Sequence, residues 1–191
     1  NMETIVRSLF NNCKKLAVVH GGKNVKNIVY RAFYGCDSLR SIKDVVPVTI
    51  DREAFYKCQK LENFNFSRIK SIGYESFYQC YSLKEADLTT LTSIDRSFAG
   101  CMGLKKVTLG NDITTIKSDA FYNCHALEEV ILGSSINSLE SNCFYSDKNA
   151  LKHVYITAPA PPAVGTAPFY SPTSVTLYVP DYAMVSYKLD N

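Results

Sequence analysis

Phenylalanine recurs along this chain at nearly constant spacing, and this repetition limits the fold more than any other feature. The series is Phe10, Phe33, Phe55, Phe77, Phe98, Phe121 and Phe144, at intervals of 23, 22, 22, 21, 23 and 23 residues. Self-similarity at a period of about 20 to 29 residues is typical of solenoids, whose units each contact only their neighbours. The sequence therefore predicts about seven stacked units instead of a globular α/β domain.

Other residue types keep a fixed offset from the repeat phenylalanine. A leucine follows six residues after the first six and seven after the last, at Leu16, Leu39, Leu61, Leu83, Leu104, Leu127 and Leu151. An isoleucine or leucine comes about five residues before, at Ile5, Ile28, Ile50, Ile72, Ile94, Ile116 and Leu139. A small residue mostly precedes the phenylalanine, as at Ala32, Ala54, Ser76, Ser97 and Ala120. Each unit is thus expected to add one member to every column of a shared core.

A strand is predicted in each unit from an L-x-x-V-x-L core, which is clearest over residues 104–109 and 127–132. Because alternate strand residues face opposite sides, Val107 and Leu109 should point inward while Lys106 and Thr108 point outward. We expect parallel strands centred near Val19, Ile42, Phe64, Ala86, Val107, Val130 and Val154. Stacked at strand spacing, they would form a rod about 30 to 35 Å long.

Unit by unit, the pattern I-x-x-x-A-F-x-x-C-x-x-L-x-x-I resembles the BspA-like class of leucine-rich repeats over roughly residues 1–157. The resemblance implies a leucine-rich-repeat solenoid, a right-handed superhelix with one continuous parallel β-sheet and with turns and short helical segments on the other side. The array is expected to hold about seven units of 21–24 residues over 1–157. Residues 158–191 would form a Pro-rich excursion and a capping strand with a short helix in the same domain, because five prolines lie between 157 and 172.

Cysteine also keeps a repeat position, three residues after the first six phenylalanines. The members are Cys13, Cys36, Cys58, Cys80, Cys101 and Cys124, whereas Cys143 takes the small-residue position before Phe144. A column of buried, reduced thiols is favoured, since free cysteine serves well as a small core residue. Disulfides are the first alternative, although seven is an odd number. A zinc site is the second, although the chain has no C-x-x-C pair.

Charge and composition indicate which classes of function to set aside. The net charge is +3, and the basic residues form no block of like charge, so nucleic acid is not expected as a partner. No apolar run is long enough for a transmembrane segment. No two of the three histidines share a unit, so neither catalytic residues nor a metal site or cofactor are expected.

The outward positions of the predicted sheet are the first candidate for a binding surface, since solenoids commonly use such extended faces. The candidates are Lys43, Asn63, Asn65, Glu85, Asp87, Lys106, Thr108 and Glu129, with a partner expected at the middle of the array. A column of tyrosines, interrupted by Ala99, is the alternative surface: Tyr34, Tyr56, Tyr78, Tyr122 and Tyr145. Tyrosines one repeat apart could instead serve mainly to stack on one another.

The family resemblance implies a function that the residues alone do not name. BspA-like repeats are common in surface proteins and lipoproteins of Bacteroides-type bacteria, so we expect a cell-surface or secreted, non-enzymatic module for adhesion or for binding an extracellular protein or glycan. A lipid anchor, if used, would lie outside this chain. A monomer is expected. The alternative function is a structural spacer that displays another domain.

Overall fold

The computed structural model describes residues 2–148, 150–169 and 175–188. They form stacked coils, and most coils carry one longer strand and one two-residue strand joined by turns. The strands are β1 (Thr4–Ile5), β2 (Val18–His20), β3 (Asn27–Ile28), β4 (Ser41–Lys43), β5 (Thr49–Ile50), β6 (Ser71–Ile72), β7 (Glu85–Leu88), β8 (Lys106–Leu109), β9 (Thr115–Ile116), β10 (Glu129–Leu132), β11 (Ser138–Leu139), β12 (His153–Ile156), β13 (Ala163–Val164) and β14 (Thr176–Tyr178). A 3-10 turn at Asp181–Ala183 leads into the short helix α1 (Met184–Lys188).

The longer strands pair in parallel, as predicted. Strands β14, β12, β10, β8 and β7 form a five-stranded sheet in that order, which we call the broad sheet. Its register places Val130 opposite both Val107 and Val154. Val107 and Leu109 are buried while Lys106 and Thr108 are half-buried, which confirms the predicted alternation of inward and outward residues.

The sheet is not continuous, so that part of the expectation is wrong. Strands β2 and β4 form a separate two-stranded ladder, which reaches the third unit only through a bridge between Ser41 and Asn63. Phe64, expected at the centre of a strand, lies outside the strands. Its ring packs edge-on between Phe55 and Phe77, 5.2 Å from each centroid. We attribute the break to this ring, which fills a strand position that holds the small Ala86 in the next unit.

The isoleucine column forms a second set of ladders on the other side of the coils. Strands β1, β3, β5 and β6 pair in one ladder and β9, β11 and β13 in another, and Ile94 extends the latter by a bridge to Ile116. The described residues of the array contain no helix before Asp181. The short helical segments expected on this side are therefore replaced by two-residue strands and turns.

Between the ladders, the phenylalanine column forms the centre of the core. Its rings are stacked at centroid distances of 5.1 to 5.5 Å, from the pair Phe10 and Phe33 to the pair Phe121 and Phe144. The turn that carries each phenylalanine is also hydrogen-bonded to the next unit. Phe33 N–H donates to the Ala54 carbonyl and Gly35 N–H to the Tyr56 carbonyl, both at 2.8 Å. The rings therefore stack because the backbone fixes their spacing.

The cysteine column makes a specific hydrogen bond as well as filling space. Five thiols donate to the carbonyl of the repeat phenylalanine in the preceding unit, with Sγ to oxygen distances of 3.0 to 3.3 Å. These are Cys36, Cys58, Cys80, Cys101 and Cys124, all buried. Burial raises the pKa of Cys36 and Cys101 to about 12. All seven cysteines are free.

Cys13 is exposed, which corrects the expectation that all six column thiols are buried. Each thiol of the column reaches toward the preceding unit, and Cys13 belongs to the first unit of the stack. Within the described chain, its thiol therefore faces the end of the stack, where no phenylalanine carbonyl can accept its hydrogen bond.

The Pro-rich segment stays in the stack, whereas an excursion was expected. Strand β13 pairs with β11, and the ring of Phe169 stacks on Phe144 at 5.3 Å. Pro168 takes the small-residue position, and its carbonyl accepts a hydrogen bond from Phe144 N–H at 2.8 Å. Proline fits there because the ladder uses its carbonyl, which proline retains, and not the N–H that it lacks. Residues 158–169 thus repeat the contacts of an eighth unit.

A strand and a short helix follow, as the sequence predicted. Strand β14 pairs with β12, and Ala183 is buried ahead of α1. The Tyr187 hydroxyl lies 3.3 Å from the Ala158 carbonyl oxygen and 3.1 Å from the Ala160 carbonyl oxygen, and its single hydrogen can be donated to either. These contacts hold the helix against the last coils, and we propose that this part of the chain caps the core.

Candidate binding surface

The outward side chains of the broad sheet form two rows that run across its strands. We call this surface the outward sheet face. The register aligns Glu85, Lys106, Glu129, His153 and Thr176 in the first row. It aligns Asp87, Thr108, Ile131, Tyr155 and Tyr178 in the second. Since each row takes one residue from every strand, its members are held about 4.8 Å apart by the ladder.

The charges in the first row alternate in sign. Lys106 donates a hydrogen bond to Glu129 on the neighbouring strand, with Nζ 2.6 Å from Oε1. The hydrogen bond and charge of Glu129 raise the pKa of Lys106, and the charge of Glu85 on the other side adds to the effect. Lys106 therefore pairs with Glu129 and is also affected by the charge of Glu85, whereas the sequence placed it only beside the acidic pair Glu85 and Asp87.

Asp87 has a local structural role in addition to its place on the face. One carboxylate oxygen accepts hydrogen bonds from the Thr89 backbone N–H at 3.2 Å and from the Thr89 hydroxyl at 2.8 Å. Aspartate commonly stabilises turns in this way. A substitution at Asp87 would thus disturb the turn that ends β7 as well as the surface.

Aromatic side chains gather where β12 and β14 meet. The rings of Tyr155 and Tyr178 are stacked at 4.3 Å, and Tyr178 Oη lies 3.5 Å from His153 Nδ1. The predicted site did not include this cluster, although His153 and Tyr155 lie at outward positions of β12. The alternation of Thr176, Leu177 and Tyr178 could have indicated it, because it brings Tyr178 to the same side of the strand as Tyr155.

The predicted site residues fall into two groups. Glu85, Asp87, Lys106, Thr108 and Glu129 share the outward sheet face. Lys43, Asn63 and Asn65 are exposed in the second and third units, on the other side of the break in the sheet. Asn65 also accepts a hydrogen bond from Ser67 N–H at 3.0 Å, which holds a local turn. The structure therefore does not join all eight residues in one hydrogen-bonded face.

The tyrosine column is stacked on the turn side of the coils. Tyr34 and Tyr56 are parallel at 4.8 Å, Tyr56 and Tyr78 at 4.9 Å, and Tyr122 and Tyr145 at 5.4 Å. Ala99 separates the two runs. All five rings are half-buried, so mutual packing occupies their faces and leaves mainly the ring edges to solvent.

The family comparison agrees with this architecture. The model of the BspA type leucine rich repeat region matches residues 1–97 and 70–176, with 6 copies of the repeat. The chain belongs to this family. No match was found among curated proteins.

Solved structures share the fold of this BspA-type solenoid at low sequence identity. A T. pallidum leucine-rich repeat protein is 23% identical with a TM-score of 0.69, over 92% of this chain and 83% of that one. A leucine-rich cell surface protein from Faecalibacterium prausnitzii A2-165 is 20% identical with a TM-score of 0.63, over 93% and 64%. A leucine-rich repeat protein from Bacteroides ovatus ATCC 8483 is 20% identical with a TM-score of 0.57, over 94% and 59%. This chain spans less than two thirds of the last two proteins.

One group of side chains in the BspA-type array has the composition of a catalytic triad but not its geometry. His125 Nδ1 lies 3.0 Å from Ser146 Oγ and 3.1 Å from Asp147 Oδ1. A catalytic histidine binds its serine and its carboxylate through opposite ring nitrogens, and here both contacts use Nδ1. The group thus fastens the turn of one unit to the next.

In the part of the chain that the structure describes, no helix is long and apolar enough to cross a bilayer.

Proposed function

We propose that this protein is a non-enzymatic binding module at the surface of, or secreted from, a bacterial cell, and that its outward sheet face binds an extracellular protein or glycan. The family supports a binding role, because leucine-rich repeats form interaction scaffolds. The surface location is supported by the structural relative from Faecalibacterium prausnitzii, which is described as a cell surface protein.

The observation that carries the proposal is the two aligned rows of the outward sheet face. Three neighbouring strands hold charges of alternating sign in one row, at Glu85, Lys106 and Glu129. Two strands hold stacked aromatic rings at the end of the other row. Because the ladder already fixes the backbone positions of these residues, little backbone entropy is lost when a partner binds. Charged groups of this kind contribute mainly to specificity and association rate, while the tyrosines supply contact area.

A charge-reversal variant tests this surface. Glu85→Lys combined with Thr108→Lys alters both rows but leaves the inward residues Val107 and Leu109 unchanged. The matched control is Asp112→Lys with Ser135→Lys, which makes the same charge change at exposed positions outside the broad sheet. Both variants should keep the thermal midpoint of the wild-type protein.

The probes are immobilised collagen, laminin and fibronectin, together with an array of uncharged glycans. We expect the wild type to bind at least one probe, the sheet-face variant to bind about tenfold more weakly, and the control to bind as the wild type does. If binding survives in the sheet-face variant but is lost when Tyr56 and Tyr78 become serine, the tyrosine column is the binding surface and the proposed assignment is wrong. Absence of binding to every probe would favour the spacer function.

A further inference from the structure

Three arginines that are far apart in the sequence lie side by side on the turn side of the first three units. Arg7 and Arg31 both place a guanidinium group against the Tyr30 ring, 4.8 and 4.9 Å from its centroid. Arg31 and Arg52 both donate from Nε to the Glu53 carboxylate at 2.7 Å. Arg52 lies in turn 5.6 Å from the Tyr74 centroid. This connected set, Arg7, Tyr30, Arg31, Glu53, Arg52 and Tyr74, is called the arginine strip below.

The strip presents positive charge to solvent because its carboxylate is buried. Glu53 is 4% exposed, whereas the side chains of Arg31 and Arg52 are 39% and 59% exposed. Burial alone would raise the pKa of Glu53, but the hydrogen bonds from Arg31 and Arg52 outweigh it and hold the pKa below its ordinary value. Glu53 is therefore ionised at neutral pH and neutralises one arginine from below the surface.

Neighbouring charges leave this positive balance in place. Lys57 adds a cation beside the Tyr56 ring, 5.4 Å from its centroid. Asp51 adds an exposed carboxylate, whose Oδ1 accepts the Arg52 backbone N–H at 2.7 Å. Glu75, next to Tyr74 in the chain, has its own partner in Arg96, whose Nε lies 3.8 Å from the carboxylate. Apart from that pair, four cations stand against two carboxylates, one of which is buried.

The arrangement of Arg7 and Arg31 points to an anionic ligand. Two like charges contact one aromatic ring, so their mutual repulsion would be reduced by an anion bound beside them. The rings hold both guanidinium planes, and Arg31 lies over Tyr34 as well, at 4.9 Å. A guanidinium fixed in this way can donate paired hydrogen bonds to a sulfate or carboxylate with little loss of entropy.

We propose that the arginine strip binds a sulfated or carboxylated polysaccharide. Such a polymer carries anionic groups at regular intervals, and the strip offers one arginine from each of three successive units, whose rise along the stack is about 4.8 Å per unit. The tyrosine hydroxyls beside the arginines can bond to sugar hydroxyls. A single-stranded nucleic acid fits less well, because its bases need free aromatic faces and these rings are covered by guanidinium groups and by each other.

The experiment measures binding of the full chain to immobilised heparin and hyaluronan at physiological ionic strength, with dextran as the uncharged probe. The test variant is Arg7→Gln with Arg52→Gln. The matched control is Arg40→Gln with Arg68→Gln, which removes two charges at exposed positions away from the strip. We expect the wild type to bind heparin or hyaluronan but not dextran, the test variant to bind about tenfold more weakly, and the control to bind within about twofold of the wild type.

The single variant Arg7→Gln guards against a folding defect. Arg7 is exposed and contacts the Tyr30 ring, so its loss leaves both partners of Glu53 in place. We expect weaker heparin binding with an unchanged thermal midpoint. The proposal is overturned if the wild type binds neither acidic polysaccharide, if both double variants weaken binding equally, or if single-stranded DNA binds more tightly than heparin. These results concern the strip alone and leave the proposed role of the outward sheet face untouched.

Discussion

At the scale of single residues, the cysteine column shows why a repeat can require one residue type. The carbonyl of Phe55 accepts the backbone N–H of Cys58 at 3.1 Å and the thiol of Cys80 from the next unit at 3.3 Å. Alanine would fill much of the space but could not donate to this carbonyl. Cysteine combines small apolar volume with a weak donor, which suits a carbonyl that already has one partner.

Thiol labelling with a disulfide reagent tests this account. We expect one thiol, Cys13, to react rapidly in the native protein and all seven to react after unfolding, because burial raises the pKa of the others and removes the reactive thiolate. The Cys13→Ser variant should then show no rapid phase. Rapid reaction of two or more thiols in the native wild type would contradict the buried column.

Glu53 gives the chain a stability that depends on pH. Its pKa is lowered in the folded state relative to the ordinary value of about 4.3 for unfolded glutamate. Its contribution is therefore fully present above the unfolded pKa and is lost as the pH falls through the folded pKa. We expect Glu53→Gln to lower the free energy of unfolding by about 1 to 2 kcal/mol at pH 7, since the arginine partners are partly in solvent.

Urea denaturation at pH 7 and pH 3 measures this effect. The difference between wild type and Glu53→Gln should shrink at pH 3, where protonation removes much of the wild-type advantage. The control Glu62→Gln changes an exposed glutamate and should have little effect at either pH. A constant difference between the two pH values would show that the charge of Glu53 is not the source of the stability.

At the scale of the structural elements, sequence periodicity predicted most strands but not the places where side-chain volume or backbone chemistry alters the pattern. The strands near Val107 and Val130 follow from strict alternation, which is a local property. The break at Phe64 depends on contacts with Phe55 of its own unit and Phe77 of the next, so the alternation around it gives no warning. The eighth unit was missed because prolines were interpreted as leaving the ladder, although Pro168 needs only its carbonyl there.

The sequence predicted part of the outward sheet face but did not predict the arginine strip. The outward positions of the broad sheet follow from the strand period, so Glu85, Lys106 and Glu129 could be assigned to one face. The arginine strip lay beyond this reasoning, because Arg7 and Arg52 lie three residues before the repeat phenylalanine whereas Arg31 lies two residues before it. The sequence did contain a pattern that indicates the strip. Arginine and tyrosine alternate at the position three residues before the repeat phenylalanine, as Arg7, Tyr30, Arg52 and Tyr74.

At the scale of the whole molecule, the stack is a one-dimensional array in which each unit is stabilised by its two neighbours. The phenylalanine column shows this directly. Phe77 is fully buried between Phe55 and Phe98, at 5.1 and 5.2 Å, whereas Phe10 is half-buried and stacks on Phe33 alone within the described column. The same residue type therefore occupies two different environments, and its loss should have different consequences at the centre and at the end.

We expect Phe77→Ala to lower the free energy of unfolding by about 3 to 5 kcal/mol, as is usual for a large buried aromatic side chain. Phe10→Ala should lower the free energy of unfolding by less than about half of that amount, since the Phe10 ring has one stacking neighbour and keeps part of its surface in water. Denaturant titrations followed by circular dichroism would measure both values. In Phe77→Ala the transition should also broaden or divide, because the weakened interface lies between two halves that each retain several intact units. Equal losses at the two positions would mean that the column does not transmit stability from neighbour to neighbour.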